Sequence, residues 1–395
     1  MSAISLFSGC GGDTLGLTRA GFNVVAFNEC KPAPIATHLL NFPDSVSLVE
    51  PMKQSGDITK VPDSVFEPYK GQVSIVFAGF PCQGFSKAGK KQATDPRNQM
   101  FHQFVRVAKL TQPPFIIGEN VTGLLSMKSG PRDEDPLVIE LIRKAFQEIG
   151  YDITYQIQEA SDFGVPQSRK RLLIVGWKIA QFPTFDATSF WTSVATWGAQ
   201  QTLIRMESFV RPTLEGALKL QDKCIPPNFD TVAVTVSADT VVTGTPHPYV
   251  TLKANATDET YGEKTYDRLL SCGKRDSPIH SEVLNLKQPC KTIICTYDHQ
   301  PRLLVGLKHP DGSRYVRTLL PDELKQVQGF PADFALTGSM KDQVVQIGNA
   351  VPPALVQGIA INLKKLLDES QPVAPQAPTT QAPKKKLKVV RAPKV

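Results

Sequence analysis

The stretch Ala3–Glu29, "AISLFSGCGGDTLGLTRAGFNVVAFNE", sets the fold class. AISLF reads as a short buried strand, and Gly9, Gly11 and Gly12 follow it at once. DTLGLTRAG reads as a helix closed by Gly21, and NVVAFNE as a second strand ending on the acid Glu29. Strand, glycine turn, helix and strand make a βαβ unit, and such units build parallel sheets covered on both faces. SIVFAGF, FIIGEN and RLLIVGW continue the series as apolar runs, with an amphipathic segment over 136–149 between the last two.

Glycines placed between a strand and a helix let the backbone approach a ligand closely. Glu29 stands about twenty residues beyond that turn, where an acid can bind both hydroxyls of a ribose. The strict G-x-G-x-x-G spacing fails, because Thr14 occupies the third glycine position and Asp13 lies in the turn. A carboxylate at a helix start opposes a pyrophosphate but tolerates a ribose joined to a cationic centre, which describes S-adenosylmethionine. Asp57, in SGDIT, is a second acid near a strand end and a candidate partner for an adenine amine. A glycine turn that holds no ligand remains an open alternative on these residues alone.

The bulk composition is that of an ordinary globular protein: 395 residues, 41% hydrophobic and 21% charged. No basic leader with a long apolar core opens the chain, and no uninterrupted apolar run reads as a membrane span. The seven cysteines include no C-x-x-C pair, which speaks against a disulfide framework or a structural zinc. An intracellular protein with reduced thiols and no metal is expected. The net charge of +7 is carried by a Pro/Lys-rich tail over 371–395, where Lys384, Lys385, Lys386, Lys388, Arg391 and Lys394 meet no acid. The body is close to neutral, so any affinity for a polyanion must come from a local basic surface.

The stretch "SIVFAGFPCQGFSKAG", 74–89, carries the candidate nucleophile Cys82 at the end of a strand, behind Pro81. A thiol needs partial exposure and a positive setting to react as thiolate, and Lys87, Lys90, Lys91 and Arg97 follow. A small buried apolar residue is the plain alternative. Glu119 ends the FIIGEN strand on the same sheet edge, although an acid there can simply cap a helix. Arg169 and Arg171 alternate at the start of the RLLIVGW segment, where they can also be a solvated edge. A thiol, a carboxyl and two arginines on one sheet edge, beside a ligand-binding turn, point to a reaction centre.

LFSGCGGDTLGLTRAGF, GFPCQGFS, GENVTGLL, QSRKRLLIVG, RTLLPDELKQVQGFP and QIGNAVPPALVQGIA occur in the order found in the C5-cytosine DNA methyltransferases, which the chain resembles from Ile4 to about Leu367. The resemblance implies a Rossmann-like class I methyltransferase sheet with helices on both faces, plus a smaller, mostly β target-recognition domain. It implies methyl transfer from S-adenosylmethionine to cytosine C5 in double-stranded DNA at a specific sequence, as in restriction-modification systems, with the base flipped out. Cys82 would add to C6, Glu119 would bind N3 and the exocyclic amine, Arg171 would hold the base O2 and Arg169 would support Glu119. Phe7, Gly9, Gly12, Glu29, Asp57, Ile58, Gly79, Pro81 and Asn349 match the cofactor contacts. Cys30 stands where the family often has a large aromatic over the adenine.

The expected organisation is a catalytic domain over 1–182, a recognition domain over 183–338, a return to the catalytic domain over 339–370, and a tail without order over 371–395. Residues 183–300 are rich in Thr, Ser and Pro, with short strand-like pieces such as TVAVTV and HPYVTL. Their basic residues, among them Arg205, Arg211 and Lys219, are candidates for phosphate and guanine contacts. A monomer is expected. Three alternatives stand beside this reading. A tRNA methyltransferase of the same fold is disfavoured by the lack of a Cys-Phe-Thr segment, an inactive DNA-binding relative by the intact reactive set, and a nicotinamide dehydrogenase by Asp13 and Thr14. The tail can hold DNA non-specifically, act as a nuclear address or be plain solvated chain.

Overall fold

The computed structural model describes residues 1–48, 56–81, 100–130, 132–222, 225–226, 229–252, 270–272 and 282–370. Cys82, the basic residues of the loop behind it, Lys223, Lys253, Lys264, Arg268, Lys274, Arg275 and the tail lie outside them.

The first sheet is built from β1 (Ser2–Leu6), β2 (Asn23–Asn28), β3 (Val46–Ser47), β4 (Ile75–Ala78), β5 (Phe115–Asn120), β6 (Tyr151–Glu159) and β8 (Lys170–Lys178), with β7 (Gln167–Ser168) just ahead of β8. Its order is β3-β2-β1-β4-β5-β8-β6. The strands from β3 to β5 are parallel, and β8 runs antiparallel to both β5 and β6. The all-parallel expectation is therefore corrected to a mixed sheet. Burial alone gives β8 its apolar run, and burial does not encode strand direction.

Helices cover both faces. α1 (Gly12–Arg19), α2 (Pro32–Asn41), α3 (Met100–Thr111), α4 (Val138–Gln147) and α5 (Ala187–Ala199) belong to the first half of the chain. On one face Phe104 and Val107 of α3 and Ile142 and Phe146 of α4 pack on Ile4, Val76 and Ile116. On the other, Leu17 of α1, Trp191 and Val194 of α5 and the C-terminal helix pack on Ala3, Ile75, Phe115 and Val175.

The second sheet uses β9 (Leu218–Lys219), β10 (Val234–Thr235), β13 (Glu282–Val283), β15 (Leu303–Lys308) and β16 (Arg314–Thr318). A short helix, α6 (Phe229–Val232), precedes β10; β11 (Val250–Leu252) pairs with β12 (Leu270–Cys272), and β14 (Cys290–Lys291) pairs with β7. α7 (Pro321–Val327) and α8 (Met340–Asn349) follow, then α9 (Pro353–Ser370).

This packing sets two boundaries differently from the expected ones. α5 falls inside 183–338 yet packs on the first sheet, while Val344 and Ile347 of α8 share a core with Leu303, Val305 and Leu307 of β15. Only from Val351 onward does the chain rejoin the first sheet's core. Met340–Ser370 is long and apolar enough to cross a bilayer by composition, but most of its apolar stretch is buried inside the protein.

Two glycines matter for assembly. A Cβ on Gly16 would come within 2.5 Å of the Pro353 carbonyl oxygen, and one on Gly12 within 2.4 Å of that of Val351. α1 can therefore lie directly against α9 and its lead-in.

Candidate active site

The C-terminal edge of the parallel strands carries Phe7, Glu29, Gly79 and Glu119, four of the expected residues. β1 ends at Leu6, and the chain turns through Phe7 at φ 56°, Gly9 at φ 55° and Gly11 at φ 93° before α1 starts. Phe7 is a non-glycine residue in the left-handed region, a costly conformation that neighbouring structure must impose. A Cβ on Gly9 would meet nothing within 4 Å, so this face of the turn is open. Gly12 differs, since its missing Cβ is already explained by the close approach of Val351.

Glu29 fastens this turn. Its Oε2 accepts a hydrogen bond from Gly9 N at 2.9 Å, and its Oε1 accepts from Cys30 N at 2.7 Å and Lys31 N at 2.9 Å. A carboxylate offers about four acceptor directions, so room remains for hydroxyl donors. Beside it, Asn28 Nδ2 donates to the Gly56 carbonyl at 3.1 Å, and a Cβ on Gly56 would fall 2.3 Å from Cys30 Cα. That contact draws Asp57 towards the same edge. Asp57 Oδ1 accepts from Thr59 N at 3.0 Å and Thr59 Oγ1 at 2.7 Å, capping the short turn Ile58–Lys60. Ile58 buries its side chain in the core, so only its backbone is available to a ligand. Cys30 is exposed, and burial of part of its surface beside Glu29 pushes its thiol up to about 11.

Asp13 does not face this opening. It is 1% exposed and accepts a hydrogen bond from Ser5 Oγ beneath the turn. Burial pushes its carboxyl up to about 7, against the lowering effect of the Ser5 hydroxyl and backbone N–H groups. The expectation that Asp13 repels a pyrophosphate from within the turn is therefore corrected. The exposed part of the turn is backbone.

Glu119 sits near the end of β5, next to the end of β4. A Cβ on Gly79 would be 3.8 Å from both Glu119 Oε2 and the Phe7 carbonyl oxygen, so the turn after β1, Gly79 and Glu119 share one small space. Asn120 is 3% exposed, and its Nδ2 donates to the Phe80 carbonyl at 3.0 Å. This bond fixes the backbone that delivers Pro81. Asn120 was not anticipated, although it directly follows Glu119 in the GEN block.

The two arginines part company. Arg171 Nε lies 2.9 Å from Glu119 Oε1, with both side chains 14% exposed. Burial raises the Glu119 pKa, while Arg171 and then Arg169 pull it back down. Arg169 is 1% exposed and makes its hydrogen bonds elsewhere, although its charge is felt at Glu119. Its Nη1 donates to the Ile293 carbonyl at 2.8 Å, and its Nη2 to those of Gly348 at 2.8 Å and Ala350 at 3.2 Å. Burial and the neighbouring Arg171 bring its pKa down to about 9. The direct ion pair on Glu119 comes from Arg171, while Arg169, expected to support Glu119, acts on it through charge, after Arg171 in size. The alternation rule fails because Arg169 lies in the break between β7 and β8, outside a regular strand. Asn349 ends α8 and is exposed, a short distance in sequence from the arginine's carbonyl partners.

The model of the C-5 cytosine-specific DNA methylase family matches residues 1–365. The Type II methyltransferase M1.HphI of Haemophilus parahaemolyticus is 30% identical over 93% of this chain and 87% of its own. The Type II methyltransferase M.NgoPII of Neisseria gonorrhoeae is 28% identical over 93% and 96%. Among solved structures, the S. pombe Dnmt2 methyltransferase superposes with a TM-score of 0.59 at 16% identity, over 93% of this chain and 99% of that one, a likeness of fold. With an open glycine turn, a largely buried carboxyl–guanidinium pair and the chain leaving β4 towards Pro81 on one sheet edge, the chain belongs to the C-5 cytosine-specific DNA methylase family.

Proposed function

We propose that this edge methylates C5 of cytosine in double-stranded DNA, with Cys82 as nucleophile, Glu119 as proton donor and S-adenosylmethionine as methyl source. The observation that carries the reading is the shared space of Phe7, Gly79 and Glu119, which puts a cofactor turn within reach of a buried acid. The donor set fits the cofactor: an open backbone turn at Gly9, a carboxylate at Glu29 for ribose hydroxyls and Asp57 beside it. Bound there, S-adenosylmethionine supplies an electrophilic methyl group.

The protein's part follows from charge. Cytosine C5 becomes nucleophilic only when a thiolate adds to C6 and N3 takes a proton. A carboxyl that donates to N3 must be protonated, and burial of Glu119 favours that form. The same carboxyl accepts from the exocyclic amine through its other oxygen. Arg171, held on Glu119, is the proposed donor to the base O2. Sulfur bonds to C6, Glu119 protonates N3, and C5 takes the methyl group. The C5 proton then passes to solvent, the C5–H electron pair forms the C5–C6 double bond as Cys82 leaves as thiolate, and the N3 proton returns to Glu119. A stacked cytosine hides C6, so the base must leave the helix. Residues of the second sheet, including Arg211 and Lys219, are the proposed recognition surface, and the working unit is a monomer.

Trapping on duplex DNA that contains 5-fluorocytosine tests this reading, because fluorine at C5 blocks the elimination step. The wild-type protein gives a covalent adduct that depends on S-adenosylmethionine, and Cys82→Ala gives none. An undiminished adduct from Cys82→Ala would remove the nucleophile, and no wild-type adduct on DNA of varied sequence would remove the activity.

A further inference from the structure

Behind the reaction edge, three buried side chains stitch the first sheet to the second. Gln167 is completely buried, and so is Gln328. Gln167 Oε1 accepts from Ile293 N at 3.0 Å, and its Nε2 donates to Gln328 Oε1 at 2.6 Å. Gln328 Nε2 donates to the Ala350 carbonyl, which also accepts from Arg169 Nη2. Ile293 is therefore held from both sides, its N–H by Gln167 and its carbonyl by Arg169. Around it, Cys290 N donates to the Pro166 carbonyl at 3.1 Å and Thr292 Oγ1 to that of Ser168 at 2.8 Å.

The three amide and guanidinium groups come from different bodies. Gln167 and Arg169 lead into β8 of the first sheet, and Val351, next to Ala350, belongs to that sheet's core. Gln328 follows α7, whose Leu324 and Val327 lie in the second core with Ile293 and Ile347. Each of the polar groups is buried, so a bond lost here leaves a donor or acceptor without water. A seam closed by buried hydrogen bonds, in which only Arg169 Nε is left without a partner, admits one arrangement rather than a range of them. Its catalytic-side end lies two residues from Arg171, the partner of Glu119.

We propose that Gln328 is a positioning residue for sequence discrimination: with Gln167 and Arg169 it forms a buried clasp that fixes the second sheet over the reaction edge, so that only one DNA register brings a base to Glu119. This rests on the proposed function, in which the second sheet reads the DNA. Gln328 touches neither base nor cofactor and acts through Gln167 and the Ala350 carbonyl. Freed of Gln328, Ile293 retains Arg169 and Gln167, but Gln167 Nε2 is left with only its 3.4 Å bond to the Val327 carbonyl, and the second sheet gains play relative to the first.

The test is Gln328→Met, which keeps length and removes both hydrogen bonds, with Gln167→Met as a second variant from the other end of the same bond. Rates are expressed per folded molecule, counted by titration with S-adenosylhomocysteine. Loss of such a bond is expected to raise KM for cognate DNA about tenfold and to raise methylation at sites differing by one base about tenfold relative to the cognate site. The rate at saturating DNA and the affinity for S-adenosylhomocysteine stay within about threefold of the wild type. Unchanged KM and unchanged discrimination in both variants overturn the proposal. So does a fall in the saturating rate with discrimination intact, which would make the clasp a support of the reaction edge alone. A wild-type protein that fails to methylate DNA would instead sink the function on which the inference rests.

Discussion

Asp13→Asn isolates the cost of a buried carboxyl beneath the cofactor turn. In the folded protein this group holds its proton to about pH 7, whereas its ordinary value is 3.8. Below the ordinary value both folded and unfolded chains carry the proton, and the group adds no pH dependence. As pH rises towards 7 the unfolded chain ionises first, so stability falls; above 7 the full cost is present. A shift of roughly three units at 1.36 kcal/mol each amounts to about 4 kcal/mol. Asparagine stays neutral at every pH and can still accept from Ser5 Oγ, the contact Asp13 makes now. Urea unfolding of both proteins at about pH 5 and about pH 8 gives two variant-minus-wild-type differences, in which the contributions of all other groups cancel. Because about 1.5 kcal/mol of that cost is already present at pH 5, the variant should gain about 2.5 kcal/mol on the wild type between the lower and the higher pH, with most of the gain below about pH 7. Equal differences at the two pH values would mean that Asp13 is ionised throughout, and the placement of its carboxyl away from solvent would be refuted.

Two further outcomes concern the acid and the second core. Glu119→Gln keeps an amide near Arg171 but loses the transferable proton; single-turnover methylation should slow at least about a hundredfold with S-adenosylhomocysteine affinity unchanged, and near-normal turnover would remove Glu119 from its role. Arg317 and Glu323 are both 1% exposed and meet through two 2.8 Å contacts, with Arg211 N and Leu320 N completing the carboxylate at 2.9 Å each. Arg317→Met should cost about 3–5 kcal/mol in denaturant unfolding, because it strands a buried carboxylate, and adding Glu323→Met should recover most of it. A double variant no more stable than the single one would show that the pair is not what holds this corner.

Local chemistry was readable along the chain where each choice is decided by near neighbours. β1, β2, β4 and β5 are four to six residues of almost unbroken apolar sequence because both faces are covered. The acids Glu29 and Glu119 were findable because each closes such a run. α5 was hidden for the opposite reason: five of the thirteen residues of ATSFWTSVATWGA are Ser or Thr, and its buried Phe190, Trp191 and Val194 look like isolated apolar residues in a loop. Arg169 shows the sharper limit. Its carbonyl acceptors lie 124 to 181 residues away, so no spacing rule could separate its destination from that of Arg171. The same distance hid Gln167 and Gln328, which look like ordinary polar residues until the chain closes.

The close seat of α9 against Gly16 has a consequence for the order of synthesis. α1 is made among the first twenty residues, yet the apolar groups that cover it, Leu355, Val356 and Ile359, are made after residue 350. A ribosome has therefore released almost the whole chain before the first sheet gains its second cover. Until then the cofactor turn rests on a helix with nothing behind it. A polypeptide halted at residue 340 would carry Cys82, Glu119, Arg169 and Arg171 and still lack Asn349 and the layer that covers α1. Completion of the first sheet's second cover is thus deferred to the last stage of translation.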